Sequence, residues 1–167
     1  AMNDLPVVEQ IGQVLALAIR NCRLFSEVQD QARTDGMTGL LNYRSFHEHL
    51  QNEIHRSGRY GRPLGLIMLD VDHFKEINDT QGHRQGDSVL KEAALFLKEH
   101  IRGVDTVCRY GGDEFVILMP ETNVEGARLK AETLREGMER LAFTDVSGSK
   151  RPIKIALSIG VAGFHPD

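Results

Sequence analysis

Residues 106–119, Thr-Val-Cys-Arg-Tyr-Gly-Gly-Asp-Glu-Phe-Val-Ile-Leu-Met, contain the stretch that decides the fold. The apolar residues on either side of Gly111-Gly112 predict strands at about 106–110 and 114–119, joined as a β-hairpin. Adjacent glycines permit a tight turn and a close approach of the backbone to a ligand. Asp113 and Glu114 would then stand at the edge of a sheet. The alternative is an ordinary solvated hairpin with no ligand.

The segments around this hairpin predict an α+β domain. Asn42 can cap a helix that runs to about Tyr60, and further helices are expected over 73–79, 88–101 and 124–141. Strands are expected over 64–69 and 153–161, and 80–86 is a polar loop. The order β-α-α-β-β-α-β suits a sheet containing antiparallel strands with helices on one face, related to the split β-α-β plan of ferredoxin-like folds.

Residues 5–33 form one long predicted helix. Apolar residues recur there at alternating spacings of three and four, which is typical of a two-stranded coiled coil. The alternative is a single amphipathic helix packed on its own domain. Thr34-Asp35-Gly36 ends the helix and predicts a hinge. We therefore expect a linker or coiled-coil helix over 1–33 and a folded domain over 34–167. The seam residues are Ile11, Val14, Ala18, Asn21, Phe25, Val28 and Ala32.

Composition restricts the possible classes of function. The chain has 167 residues, 41% of them hydrophobic and 26% charged, with a net charge of −4. This balance is typical of a soluble globular protein, and the lack of basic excess argues against nucleic-acid binding. No apolar run reaches transmembrane length, so no membrane segment is expected here. Cys22 and Cys108 match no metal-binding spacing and, with no signal peptide pattern, indicate a cytoplasmic protein.

Asp70 ends a strand that is otherwise almost entirely apolar. A carboxylate in that position is costly unless it is paired or bound to a metal. Asp72 can be the N-cap of a helix starting at His73, whose free amides and Lys75 would favour phosphate. If the hairpin is adjacent, Asp70 and Asp113 converge, and oxygen-only ligands indicate Mg²⁺ or Mn²⁺. The alternative is a surface turn capped by two aspartates.

The polar stretch 78–87 contains residue types that suit guanine recognition. An amide such as that of Asn78 can pair with O6 or N7, and a carboxylate such as that of Asp87 accepts from N1–H and the 2-amino group. Such a stretch could equally cap helices and do nothing more. His83 is ambiguous, because a lone loop histidine is more often structural than catalytic.

Taken together, these motifs resemble the GGDEF-domain diguanylate cyclases. The resemblance implies the family's nucleotidyl-cyclase-like fold, a ferredoxin-like mixed sheet surrounded by helices and here preceded by a long N-terminal signalling helix. It runs from about Thr34 to Ala162 and is specific because several spaced motifs occur in one order. These are Asp35 to Asn42, Asp70 to Asp79, Gly82-His83, Gly86-Asp87, Arg109 to Phe115 and Leu157 to Ala162.

The resemblance implies an enzyme that condenses two GTP into cyclic di-GMP and two pyrophosphates, within a homodimer whose two sites face each other. It assigns the metal ligands, the guanine readers, the phosphate-binding groups and the carboxylate that acts as general base on the attacking 3′-hydroxyl, without deciding between the two candidates for that base. The metal ligands are Asp70, the Val71 carbonyl and Asp113, and guanine is read by Asn78 and Asp87 with His83 beside them. The phosphates are held by Phe74 and Lys75, assisted by Arg109, and the base is Asp113 or Glu114.

Arg102 and Asp105 match the family's RxxD inhibitory site, where cyclic di-GMP binds as the product. The resemblance also implies a further helix and strand after Val161, so we expect a C-terminally truncated domain, which leaves open whether this chain is active by itself. An upstream sensor domain is expected before the N-terminal helix. Two other classes stay open: an inactive module that binds GTP or cyclic di-GMP, and a structural dimerisation element.

Overall fold

A computed structural model of the chain describes residues 12–20, 33–144 and 153–166. The chain divides into two compact units, Ala1–Arg33 and Thr34–Asp167. In the first unit, residues 12–20 are helical and exposed. Val14 and Ala18 of the predicted seam lie in this helix, and the other five seam residues lie outside the described residues. None of the described helices is both long enough and apolar enough to span a bilayer.

The second unit contains a five-stranded mixed sheet in the order β1-β3-β4-β2-β5. The strands are β1 (Leu41–Asn42), β2 (Leu64–Val71), β3 (Thr106–Arg109), β4 (Glu114–Pro120) and β5 (Leu157–Phe164). The helices are α1 (Tyr43–Tyr60), α2 (Phe74–Gln81), α3 (His83–Glu99) and α4 (Val124–Arg140).

The topology is the predicted ferredoxin-like one. Strand β4 is antiparallel to both β2 and β3, so it lies between two strands that run parallel to each other. Strand β2 lies in the same way between β4 and β5. Among the strands of the described residues, only the short β1 pairs in parallel, with β3. The predicted α+β class and hairpin are therefore confirmed.

Helices cover both faces of the sheet, and the expectation of one covered face is wrong. Successive side chains of β2 point to opposite faces of the sheet, so this strand contributes apolar residues to a core on each face. Ile67 and Leu69 belong to a core shared with α2, α3 and α4. Leu64 lies on the other face, in a core with Phe46 of α1. A strand that is apolar on both faces needs a layer on each side.

The local signals in α1 are those that the sequence predicts. Asn42 adopts an extended conformation, and its side chain accepts a hydrogen bond from the backbone N–H of Ser45 at 2.9 Å. Gly61 ends the helix in the left-handed region, with φ of 65°. The helix is therefore capped at both ends by residues suited to those positions.

The predicted polar loop over 80–86 is wrong. Helix α2 continues to Gln81 and α3 begins at His83, so Gly82 alone separates the two helices. Its φ of 84° is readily available only to glycine, so one residue makes the break. Most polar residues of this stretch are exposed on helical faces, whereas Gln85 is buried and its amide donates to the Thr144 carbonyl at 2.8 Å.

Candidate active site

An acidic cluster stands where β2 ends and β4 begins. Asp70 is opposite Glu114 in the β2–β4 register and opposite Ser158 in the β2–β5 register. The N–H of Val71 donates to the carbonyl oxygen of Asp113 at 3.3 Å. The antiparallel register thus brings Asp70 and Asp113 together across 43 positions of sequence.

The charges of this cluster oppose one another. Burial raises the pKa of Asp70, and the negative charges of Asp113, Glu114 and Asp72 raise it further. Each neighbour makes ionisation of Asp70 less favourable. A divalent cation would remove this repulsion, so the electrostatics of the site suit a metal.

The donor set fits Mg²⁺ or Mn²⁺ in a specific way. Among residues 12–20, 33–144 and 153–166, no three Asp, Glu, His or Cys side chains form a group able to hold an ion by themselves. If Asp70, Asp113 and the Val71 carbonyl were the ligands, they would supply an incomplete shell of oxygen atoms. Mg²⁺ commonly binds in this way, through one or two carboxylates with waters and substrate phosphates completing the shell.

Gly111 gives the Glu114 side chain its place over the turn. A Cβ on Gly111 would lie 2.5 Å from Glu114 Oε2, which is too close for any other residue type without rearrangement. The N–H of Tyr110 donates to the Glu114 carbonyl at 2.8 Å and closes the turn. Glycine at this position therefore permits a close approach of a carboxylate to the backbone.

The turn between β2 and α2 differs from the prediction. His73, with a left-handed φ of 57°, occupies the N-cap position and makes no side-chain capping bond. Asp72 accepts a hydrogen bond from Ser158 Oγ at 2.6 Å, and its N–H donates to the Ala156 carbonyl at 3.0 Å. The predicted Asp72 cap is therefore wrong, because β5 engages this aspartate.

The two phosphate-binding candidates lie at the start of α2. Phe74 and Lys75 are its first two residues, immediately after the acidic edge of the sheet. Phe74 is half-buried against the core, and Lys75 is exposed. A helix N-terminus favours anions because its first amides lack partners within the helix.

The guanine-reading candidates lie on α2 and α3. Asn78 and Asp87 are half-buried, and His83 is exposed. Gly86 lies under the Asn78 side chain: a Cβ there would overlap Asn78 Oδ1 and lie 3.0 Å from Asn78 Cγ. The two helices therefore meet at Gly86, directly before Asp87.

Arg109 is held inside the domain. Its NH1 contacts the Asp35 carboxylate at 3.2 and 3.3 Å, and its Nε and NH2 donate to the Gly112 carbonyl at 3.2 and 2.7 Å. Thr38 donates to Asp35 through its N–H and its hydroxyl. The predicted hinge at 34–36 is thus part of a hydrogen-bonded turn tied to the glycine turn. This pairing was not predicted from the sequence, although the Asp35 to Asn42 motif was a signal for it.

Arg102 and Asp105 form a tight ion pair. The Arg102 guanidinium meets Asp105 Oδ1 at 2.7 Å, and its backbone N–H donates to Oδ2 at 3.0 Å. The Asp105 side chain is fully buried, whereas that of Arg102 is 52% exposed. Arg102 also donates to Thr122 Oγ1 at 2.7 Å. In this arrangement only the arginine offers a surface to a ligand.

A cavity of about 400 Å³ opens beside this pair. Leu40, Lys98 and Ile101 line it together with Arg102. Its walls combine apolar side chains with the cationic Lys98 and Arg102 and the acidic Asp105.

Comparison with known proteins agrees with this architecture. Residues 32–167 match the family model described as diguanylate cyclase, GGDEF domain. The GGDEF domain of DgcB from Caulobacter crescentus, solved in complex with c-di-GMP, superposes with a TM-score of 0.77 at 30% identity, covering 81% of this chain and 80% of that one. Diguanylate cyclase SiaD from Pseudomonas aeruginosa, solved with its activator SiaC, gives 0.74 at 34% identity over 98% of this chain and 61% of that one.

Curated relatives agree as well. Response regulator PleD of Caulobacter vibrioides is 41% identical over 131 residues, which are 78% of this chain and 29% of that protein. Diguanylate cyclase A of Treponema denticola is 37% identical over 165 residues, 96% of this chain and 42% of that protein. The chain thus spans less than half the length of these relatives.

The fold and the acidic turn define a nucleotidyl-cyclase-like domain of the GGDEF type. The chain belongs to the diguanylate cyclase, GGDEF domain, family, and the resemblance read from its motifs is confirmed.

Proposed function

We propose that this domain is the catalytic unit of a diguanylate cyclase that converts two GTP into cyclic di-GMP and two pyrophosphates. The observation that carries the proposal is the acidic edge, where Asp70 is opposite Glu114 and adjoins Asp113. A site that handles triphosphates needs such a cluster for its cation.

The proposed ligands of the cation are Asp70, Asp113 and the Val71 carbonyl. Bound Mg²⁺ or Mn²⁺ would neutralise charge on the phosphates and lower the pKa of a coordinated hydroxyl. The amides of Phe74 and Lys75 hold phosphate oxygens at the start of α2, and the Lys75 ammonium adds a positive charge. This placement aligns the triphosphate along the edge of the sheet.

The reaction joins the 3′-oxygen of one GTP to the α-phosphorus of the other. The bond from that phosphorus to the bridging oxygen breaks, pyrophosphate leaves, and the proton of the 3′-hydroxyl passes to Asp113 or Glu114. Repeating the step in the opposite sense closes the ring. A homodimer supplies the second GTP, and holding both nucleotides in line gives the proximity that the reaction requires.

The guanine is read by Asn78 and Asp87, with His83 beside them. Arg109 supports this site through the glycine turn, because its guanidinium already contacts Asp35 and Gly112.

We propose further that cyclic di-GMP inhibits by binding at Arg102, whose exposed guanidinium can stack on and bind guanine. Asp105 then keeps that guanidinium in position. Because GTP is an intracellular nucleotide, we place the reaction in the cytoplasm, under control of an upstream sensor domain.

The test is turnover of GTP by the intact protein that carries this domain. With Mg²⁺ we expect cyclic di-GMP and pyrophosphate, and we expect Asp113→Ala to lower kcat by at least about 100-fold through loss of a ligand and acid–base group. Glu136→Ala, on the exposed side of α4, is the matched control. If the dimeric wild-type protein bound GTP or cyclic di-GMP but made no product, the result would refute the enzyme and favour a binding module.

Inhibition is tested separately by adding product. Arg102→Ala should keep the initial rate and lose the fall in rate at high cyclic di-GMP. Persistent inhibition in this variant would refute the role of Arg102 without affecting the proposed reaction.

A further inference from the structure

Helix α3 passes α2 with no spare room at Gly86. The residue is buried, and a Cβ there would overlap Asn78 Oδ1 and lie 3.0 Å from Asn78 Cγ and from Phe74 Cζ. Contacts of 3.0 Å are already tighter than carbon atoms normally adopt in packed interiors. Any side chain at position 86 therefore displaces the Asn78 amide.

Backbone conformation does not explain this glycine. Gly86 lies within α3, where the helical backbone suits every L residue, and glycine in a helix costs about 1 kcal/mol relative to alanine. Gly58 in α1 is also helical, yet a Cβ there would have no neighbour within 4 Å. Glycine is therefore needed at position 86 because the Asn78 and Phe74 side chains occupy the space that a Cβ would fill.

Both neighbours belong to the proposed nucleotide site. Asn78 is a proposed reader of guanine, Phe74 begins the proposed phosphate-binding turn, and Asp87 follows Gly86 directly. We propose that Gly86 is a positioning residue that fixes the Asn78 amide for base recognition and so sets the preference for guanine. This inference rests on the proposed function, since it assigns Asn78 to the base.

The amide has one way to accommodate a methyl group at position 86. The amide lies at the end of the flexible Asn78 side chain. Rotation about the χ angles of Asn78 therefore moves the amide away while the backbone of α2 stays in place. The hydrogen bond to the base is then lost or lengthened, and the protein stays folded. Substrate affinity should change more than the chemical step.

The experiment compares Gly86→Ala, Asn78→Ala and the double variant in the intact protein, with Gly58→Ala as the control. Gly86→Ala should raise KM for GTP about five- to tenfold, the worth of one neutral hydrogen bond, with kcat changed less than twofold. The double variant should resemble Asn78→Ala, because the obstructed amide is absent. ITP keeps O6 and N7 and should be affected as strongly as GTP.

Unchanged KM in Gly86→Ala, or effects of the two substitutions that multiply in the double variant, would overturn the proposal. A purely structural role would lower kcat or stability and leave KM intact. If the wild-type protein lacks turnover, the proposed reaction fails, and the same comparison is made on the Kd for GTP; absence of GTP binding would overturn both.

Thermal unfolding gives a readout independent of nucleotide. The double variant should melt above Gly86→Ala, since removing the Asn78 amide relieves the overlap. A double variant that melts below both single variants would show that the contact is not the one described.

Discussion

The ion pair between Asp35 and Arg109 is a partly buried interaction whose removal should destabilise the folded domain. The two side chains are only 24% and 14% exposed, and they join residues 74 positions apart. Asp35→Ala removes this ion pair and also the two hydrogen bonds that Thr38 donates to the carboxylate, at 2.8 and 2.7 Å.

The magnitude follows from what each group keeps. Breaking a buried pair costs about 3–5 kcal/mol when the remaining charge has no partner. Arg109 retains its bonds to the Gly112 carbonyl, and Asp35 is partly solvated, so we expect a loss of about 2–3 kcal/mol. For a domain of this size that lowers the melting temperature by roughly 8 °C. Asp35→Asn keeps an acceptor for Thr38 and should lose about 1 kcal/mol.

The assay is urea unfolding at neutral pH, with Glu125→Ala as the matched control. Glu125 pairs with Arg128 at 2.8 Å, but both side chains are 61% exposed, so its removal should cost less than about 0.5 kcal/mol. If Asp35→Ala lost no more than this control, the assignment of Asp35 and Arg109 as a structural tie would be refuted.

The same pair predicts a pH dependence. Burial alone would raise the pKa of Asp35, but the hydrogen bonds from Thr38 and the charge of Arg109 outweigh it and lower the pKa below the ordinary 3.8. The ionised group therefore stabilises the fold above pH 3.8, and the stabilisation is lost as pH falls through the lower folded value. The advantage of the wild-type protein over Asp35→Asn should shrink below about pH 4. A constant advantage down to pH 3 would contradict this.

Three further predictions concern single sites. Asp70→Asn removes a charge that opposes Asp113, so the melting temperature in chelator should rise while stabilisation by Mg²⁺ is lost; a lower temperature in chelator would be inconsistent with the repulsion. His73→Gly releases a left-handed residue and should stabilise the domain by about 0.5–1 kcal/mol in urea unfolding, whereas a net loss would mean that the imidazole contributes more than the strain costs. Burial raises the pKa of the Cys108 thiol to about 12. In a Cys22→Ser background a thiol reagent at pH 8 should label this residue only on unfolding, and rapid labelling of the native protein would show that the thiol is reachable.

Much of the sheet could be predicted from local patterns alone. The continuous apolar runs of β2 and β4, the glycine pair between β3 and β4, and the cap at Asn42 each depend on residues close together in the chain. Such signals are short-range, because side-chain period and capping are properties of a few neighbouring residues. The carboxylates at 70 and 113 were recognisable for the same reason, since each directly follows or precedes an apolar strand.

Other features required partners from distant sequence. Asp72 could have capped a helix, but Ser158 of β5 takes its carboxylate, and the backbone turns at His73 instead. The polar residues of 80–86 indicated a loop, but α3 begins at His83. This helix packs beside α2, with the Asn78 side chain over Gly86. Local propensity was outweighed at these positions by contacts that form only when the sheet is assembled.

The sequence by itself determined that acidic residues beside Gly111-Gly112 would stand at a strand end, because apolar runs and hairpin turns are local features. Only the tertiary structure decided what surrounds that turn: Asp70 across the β2–β4 register, and Asp35 reaching Arg109 from the start of the domain. Electrostatic and hydrogen-bond energies depend on distance in space, and residues 43 or 74 positions apart acquire that distance only on folding.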